Sequence, residues 1–259
     1  MKRTAAIVLT TIMACACTGH MNRSVLSEEY SCRRVYALPD DRSAQFECDS
    51  LTVSVDLELP VGSDWQDARD RILSRIIPEK SSQAKDTLAI QAKMNMLRND
   101  YVAEFRDFVM SFPEDYRTFE YYYSYEGMFV DPYKECLTYK IICDTYTGGA
   151  HGMTTESYLT FDSKNGRQLF LEDMVPGLSS EEIRGAALSR LRDMEGFDES
   201  FILYDPSVVY TENVYYTNDG VTFVYQPYEV ACYAVGIVEV LVPWHDFEAL
   251  SDADASSLK

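Results

Sequence analysis

The sequence predicts an α+β fold with antiparallel sheets, helices packed on one face of them, and two intertwined subdomains. The clearest strand lies at residues 51–59, where apolar and polar side chains alternate with a period of two. From residue 118 onward, strand patterns follow one another through short turns such as 217–220. Helical patterns are grouped between these strands, which indicates an α+β arrangement and not repeated strand–helix–strand winding.

Composition excludes several classes of protein. The chain has 259 residues, of which 46% are hydrophobic, so it can form a sizeable core and is not globally disordered. Its 42 acidic and 23 basic side chains give a formal net charge of −19. Because binding to phosphate backbones needs a dense basic surface, no nucleic-acid partner is expected.

The first residues are typical of a bacterial lipoprotein signal peptide. Lys2 and Arg3 precede an apolar run at 5–14, which is too short to span a bilayer and fits the core of a secretory signal. Two cysteines follow, and in lipoproteins the lipidated Cys becomes the new N-terminus. We favour Cys17, because a polar segment follows it at once. Cys15 is the alternative, and cleavage without a lipid stays open.

The predicted signal peptide spans residues 1–17, and a polar tether spans residues 18–28. Acyl chains such as palmitate would hold the protein at a membrane, because each buried methylene contributes about 0.8 kcal/mol. Residues 18–27 carry no acidic side chain, whereas some surface-exported lipoproteins carry acidic residues just after the Cys. We therefore expect a cell-envelope protein that is anchored in the outer membrane and faces the periplasm.

Cys32 and Cys48 form a candidate disulfide. They lie at equal distances in sequence on either side of Asp40, which is part of the turn-like segment 38–43. If this segment joins a hairpin, the two cysteines face each other with Cβ atoms about 5 Å apart, so a bond needs only modest adjustment. The envelope compartment permits disulfides.

The first half of the chain predicts two strands at 30–60 and a helix from about 63 to Pro78. A second helix is predicted from about 81 to 112, and Pro113 ends it. Its apolar residues are three or four apart and form one stripe that suits a helix covering a sheet: Ile90, Met94, Leu97, Tyr101, Phe105, Phe108 and Phe112.

The second half is predicted to alternate strands with turns around one helix. Ser179 and Glu182 have the spacing of a capping box, which marks the start of that helix. Leu169 and Leu171 are assigned to a short strand, and the small, polar tail 251–259 is expected to fray. The strands are predicted at 119–125, 136–146, 154–161, 208–216, 221–225 and 237–242.

Four stretches resemble one known family. They are Tyr146-Thr147-Gly148-Gly149-Ala150-His151, then Phe161-Asp162 with Gly166, Leu169, Leu171 and Asp173, then Pro227-Tyr228-Glu229-Val230-Ala231 with Tyr233-Ala234 and Gly236, then Val240-Leu241-Val242-Pro243. Together they resemble the RsiV-like domain, whose family includes the extracellular part of a lysozyme-sensing anti-sigma factor and envelope lipoproteins of unknown role. The resemblance implies an RsiV-like domain at 135–250, preceded by its usual companion domain at 29–134.

The resemblance implies a binding function. The expected partners are a cationic protein such as lysozyme or a peptidoglycan fragment, in addition to the membrane reached through the lipid. A sigma-binding segment is not evident in the sequence, so regulated release of a sigma factor is not expected.

Five residues are candidates for the binding site: Gly148, Gly149, His151, Tyr228 and Glu229. The two glycines allow positive φ or close backbone approach, and an imidazole beside them can either fix the turn or contact a ligand. For His151 we favour the structural role. Glu229 could act as a general base, although a bulge or strand end after Pro227 is the favoured interpretation.

The sequence lacks the usual catalytic motifs. The histidines are His20, His151 and His245, and none lies in a His-Glu-x-x-His or Cys-x-x-Cys pattern, so no metal or other cofactor is predicted. A Gly-x-Ser-x-Gly elbow is also missing. We therefore predict a non-enzymatic binding protein. The alternative is an envelope hydrolase that cleaves cell-wall glycan or peptide with His151 and Glu229.

Overall fold

The computed structural model describes residues 6–8, 22–33, 50–76, 96, 99–105, 107, 111, 120–130, 132–194 and 211–257. These residues form an α+β fold, which confirms the predicted class. The chain divides into two compact units, each made of two chain segments. The first unit comprises Met1–Met128 and Ile142–Thr154, and the second comprises Phe129–Ile141 and Thr155–Lys259.

This division differs from the one suggested by the sequence. A boundary between residues 134 and 135 would place all of 136–162 in the second domain, whereas residues 142–154 belong to the first unit. The ring of Tyr146 stacks on that of Tyr122 in the first unit, with 5.9 Å between the ring centroids.

The first unit contains strands β1 (Ala6–Val8), β2 (Asn22–Arg33) and β3 (Ser50–Val61), and all of β4 (Glu120–Phe129) except its last residue. The β1–β2 and β2–β3 pairs are antiparallel, but β3 and β4 are parallel. The β3–β4 pair is therefore an exception to the predicted antiparallel pairing. Parallel neighbours need a long crossover, and residues 62–119 supply one that includes helix α1 (Gln66–Ile76).

The β2–β3 register bears on the candidate disulfide. It places Cys32 opposite Leu51. Cys48 lies outside the described residues, so the Cys32–Cys48 bond stays a prediction. The lipidation candidates Cys15 and Cys17 also lie outside the described residues.

The period-two pattern of β3 produces the core of the first unit. Residues 51, 53, 55, 57 and 59 are all buried, and α1 packs its apolar face against this strand. Residues 99–105 are helical, and Phe105 is buried with its ring edge-on to Tyr121 at 5.0 Å. The rest of the second predicted helix lies mostly outside the described residues.

Strands β5 (Cys136–Tyr146) and β6 (Met153–Asp162) contribute residues to both units. In the second unit, β6 pairs antiparallel with the short strand β7 (Gln168–Leu169). The predicted strand through Leu171 is wrong at that residue, because Leu171 begins the short helix α2 (Leu171–Met174). The carboxylate of Asp173 accepts the Phe170 N–H at 2.9 Å and turns the chain into this helix.

The rest of the second unit is a three-stranded antiparallel sheet with two helices. In chain order the elements are α3 (Ser180–Arg192), β8 (Val214–Tyr216), β9 (Gly220–Tyr225), β10 (Val238–Pro243) and α4 (Trp244–Ser257). The strands lie in the order β10-β9-β8, and both helices pack against β10. The inward side chains of the strands form one apolar core with Ile183, Ala187 and Leu191 of α3.

The start of α3 and the C-terminal tail show which features local sequence signals predict and which they do not. The capping box is confirmed, since Glu182 N–H donates to Ser179 Oγ at 3.3 Å and Ser179 N–H donates to Glu182 Oε2 at 2.7 Å. The tail predicted to fray from residue 251 is instead helical to Ser257, because it continues α4 and contains the strong helix formers Ala253 and Ala255. None of the helices described here is long and apolar enough to span a membrane.

Candidate functional site

The segment between β9 and β10, residues 226–236, is the candidate binding site, and we call it the tyrosine loop. It begins with a tight turn in which Glu229 N–H donates to Gln226 O at 3.0 Å. Tyr228 N–H then donates to Ala231 O at 3.1 Å. A single turn of 3₁₀ helix at Tyr233–Val235 follows.

The tyrosine loop presents apolar side chains to solvent. The side chain of Tyr228 is 42% exposed and that of Val235 is 53% exposed. The ring of Tyr228 lies beside that of Tyr233, with 5.9 Å between their centroids and 32° between their planes. Paired tyrosines offer rigid contact area with a polar tip, which is the composition that protein-binding surfaces favour.

The backbone at Tyr228 is strained. Its φ is 73°, in the left-handed region that costs an L-residue roughly 1–2 kcal/mol. Glycine would take this conformation without that cost, as Gly236 does at φ 80° in the same loop. Such outliers persist where the surrounding structure fixes them, and they cluster at functional sites.

Glu229 has a defined role inside the loop. Its carboxylate accepts the N–H of Gln226 at 2.6 Å, so it closes the first turn. This bond supports the interpretation of Glu229 as a turn residue that holds Tyr228 in place.

The second predicted site is the turn at 147–152 in the first unit. Gly148 and Gly149 both have positive φ, at 86° and 92°, which explains the glycine pair. Tyr146 Oη donates to Gly149 O at 3.0 Å and closes the turn. His151 is exposed and its Nδ1–H donates to Gly152 O at 3.0 Å, so the imidazole helps to shape the turn.

The two residues of the hydrolase alternative belong to different units. His151 lies in the first and Glu229 in the second, and each forms a hydrogen bond within its own turn. Within the described part of the chain, no group of three or more His, Cys, Asp or Glu side chains could hold a metal ion.

Sequence reasoning missed the residues that hold the tyrosine loop. Asn213 and Gln226 both hydrogen-bond the backbone of β6, and Tyr233 supports Tyr228. The segment 227–236 belongs to the family resemblance, but Gln226 and Asn213 carry no local signal. Their partners lie 55 to 70 residues away in sequence.

The fold and the loop define an α+β protein with a surface loop that presents Tyr228 and Val235 to solvent. Residues 168–245, which include the whole tyrosine loop, match the family model described as "Protein of unknown function (DUF3298)". The chain therefore contains a DUF3298 domain. No curated protein matches the chain.

Two solved structures of DUF3298 family proteins have a fold similar to that of this chain. A DUF3298 family member from Bacteroides fragilis matches with a TM-score of 0.68 and 22% identity, covering 89% of this chain and 93% of that one. A DUF3298 family protein from Pseudomonas aeruginosa matches with a TM-score of 0.54 and 16% identity, covering 88% and 93%. At these levels of sequence identity, the similarity to the two structures shows a shared fold and nothing about function.

Proposed function

We propose that this protein is a lipid-anchored, non-enzymatic binding protein of the bacterial cell envelope and that the tyrosine loop contacts its partner. The observation that carries the proposal is Tyr228, a solvent-exposed tyrosine held at φ 73° beside the ring of Tyr233. A strained backbone that displays an aromatic ring to solvent is better explained by recognition than by stability.

The proposed partner is a cationic protein such as a lysozyme, and a peptidoglycan fragment is the second candidate. The net charge of −19 supports a cationic partner, because an acidic surface raises the rate of encounter with basic proteins. Similarity of the quoted motifs to the RsiV-like family supports the same choice. The attraction is expected to weaken as salt rises, since the Debye length is about 8 Å at physiological ionic strength.

The proposed anchor is a lipid on Cys17, with Cys15 as the alternative. Labelled palmitate should enter the wild-type chain and the Cys15→Ala variant but not the Cys17→Ala variant. The reverse pattern assigns the lipid to Cys15. Failure of the label to enter the wild-type chain, or recovery of the native protein in the cytosol, would overturn the proposed anchor in the outer membrane.

Calorimetry tests the binding function. The protein without residues 1–17 is titrated with a cationic lysozyme at low salt, and an acidic protein of similar size serves as the control. The proposal expects saturable heat with lysozyme alone, reduced at high salt. Absence of heat excludes lysozyme as the partner, and the same titration with soluble muropeptides then tests the second candidate.

The hydrolase alternative has its own test. If the protein cleaves muropeptides and His151→Ala abolishes turnover without lowering Tm, the proposal of a non-enzymatic protein is wrong. The hydrogen bonds of His151 and Glu229 within their own turns instead favour structural roles.

A further inference from the structure

We propose that Asn213 and Gln226 are positioning residues whose side-chain amides take the place of a neighbouring strand along part of β6 and thereby hold the tyrosine loop. The assignment of binding to that loop rests on the proposed function. The positioning itself rests on hydrogen bonds within the second unit.

Gln226 binds the backbone of Glu156 in the manner of a paired strand. Its Oε1 accepts the N–H of Glu156 at 2.9 Å, and its Nε2 donates to the carbonyl of Glu156 at 2.7 Å. One side chain thus satisfies both backbone groups of one residue, which is the exchange that two opposed strand residues make.

Asn213 extends the same arrangement along the strand. Its Oδ1 accepts the N–H of Tyr158 at 2.8 Å, and its Nδ2 donates to the carbonyl of Glu156 at 2.7 Å. The same Nδ2 also donates to Val224 O at 3.2 Å, while Val224 N–H donates to Asn213 O at 2.9 Å. Strand pairing of β6 with β7 is confined to Thr160 and Phe161. The side-chain amides of Asn213 and Gln226 therefore bind the backbone of β6 beyond the point where its pairing with β7 ends.

The position of the two amides in the chain connects them to the loop. Asn213 immediately precedes β8 and Gln226 immediately follows β9, so both strands of the β8–β9 pair are attached to β6 at the end opposite the 217–220 turn. Gln226 is also the first residue of the tyrosine loop, where its N–H donates to Glu229 and its carbonyl accepts the Glu229 N–H. The residue that docks on β6 therefore sets the start of the turn that displays Tyr228.

The charged groups around Gln226 favour a neutral side chain at this position. Glu156 pairs with Lys140 Nζ at 2.6 Å and accepts the hydroxyl of Tyr158 at 2.7 Å. Burial and this bond to Glu156 raise the pKa of Tyr158, so the phenol stays protonated and keeps donating near neutral pH. Glu229 faces Gln226 from within the loop.

The test is Gln226→Glu, because a protonated carboxyl group mimics an amide and an ionised one does not. At about pH 8 the carboxylate has lost the donor to Glu156 O and lies beside Glu229, so protection against hydrogen exchange at Glu156 and across 226–236 should fall about tenfold. At about pH 5 the added carboxyl group should bind a proton more often than at pH 8, because it lies beside the carboxylate of Glu229, and should recover part of that protection. A role in packing alone does not predict recovery.

Three controls accompany this variant. Gln66→Glu adds the same charge in the first unit and should leave the loop as in wild type at both pH values. Gln226→Met keeps the shape without the amide and should lose protection at both pH values. Asn213→Asp should repeat the pH-dependent loss and recovery at Tyr158, which keeps the test decisive if the Gln226 variants fold poorly.

Binding of a cationic lysozyme is measured in parallel. Affinity should fall about tenfold at pH 8 and recover at pH 5 in Gln226→Glu, relative to wild type at the same pH. Unchanged protection of residues 226–236 in both Gln226 variants, or loss that does not recover at pH 5, would overturn the positioning role. Absence of wild-type binding would instead reject the proposed function, and the exchange data would still decide the role of Gln226.

Discussion

The guanidinium of Arg190 on α3 binds the carboxylate of Asp246 on α4 through two hydrogen bonds. Nε donates to Oδ2 at 2.6 Å, and Nη2 donates to Oδ1 at 2.8 Å. This two-point geometry is the strong form of an arginine–carboxylate pair. It joins the two helices that pack on β10, and the hydrogen bonds from Arg190 lower the pKa of Asp246 below its ordinary value.

The lowered pKa of Asp246 predicts a loss of stability in acid. A carboxyl group whose pKa is lower in the folded state stabilises the fold above its unfolded pKa of about 3.9 and loses that effect as pH falls through the folded value. Asp246→Asn should therefore unfold at lower urea concentration than wild type at neutral pH, and the gap should shrink below about pH 4. A gap that stays constant with pH would contradict this account.

A buried pair of hydroxyl groups predicts non-additive mutational effects. Thr138 Oγ1 and Thr160 Oγ1 lie 3.1 Å apart on neighbouring strands, and both residues are 3% exposed. Thr138→Val leaves the buried hydroxyl of Thr160 without this partner. The substitution should therefore lower the free energy of unfolding by about 1–3 kcal/mol. The double variant with Thr160→Val removes both groups and should be more stable than the single one. Urea unfolding of wild type, the two single variants and the double variant measures the coupling between the two hydroxyl groups. Strictly additive effects of the two substitutions would show that the hydroxyl groups are not coupled.

Two glycines predict opposite effects of the same substitution. A Cβ on Gly220 would lie 2.1 Å from Val242 O, against backbone that cannot move freely, so Gly220→Ala should destabilise by at least about 1–3 kcal/mol. Gly185 lies within α3 with open space around it, so Gly185→Ala should stabilise by about 0.5–1 kcal/mol. Thermal unfolding compares both with wild type. Similar changes in stability at the two sites would mean that contact with Val242 O does not cause the destabilisation by Gly220→Ala.

The strain at Tyr228 predicts a variant that keeps stability and loses binding. Asn tolerates left-handed backbone better than Tyr, so Tyr228→Asn should raise the free energy of unfolding by up to about 1 kcal/mol. The measurement is urea unfolding, with Tyr233→Asn as the comparison at a residue without positive φ. A clear destabilisation by Tyr228→Asn would show that the side chain of Tyr228 supports the fold.

The local signals in the sequence predict most of the individual elements. Alternation of apolar residues predicts β3, the Asn-Asp-Gly sequence at 218–220 predicts the β8–β9 turn, and Ser179 with Glu182 predicts the start of α3. In each case the physical cause acts within a few residues of chain, through side-chain periodicity, turn-forming residues or a cap.

The relationships between distant segments were not predictable in this way. Parallel pairing of β3 with β4 depends on how the chain returns after residues 62–119, which no local pattern records. The docking of Asn213 and Gln226 on β6 likewise depends on side-chain amides meeting a backbone far away in sequence. The tyrosine loop could be indicated only through family resemblance, because a strained φ at Tyr228 leaves no mark in a single sequence.

The affinity of a cationic lysozyme for wild type and for Tyr228→Asn, measured at low salt by calorimetry, tests the central proposal most directly. The account predicts binding to wild type, at least about tenfold weaker binding to Tyr228→Asn, and equal or greater stability of that variant. Equal affinity of the two proteins, both folded, would contradict recognition through the tyrosine loop.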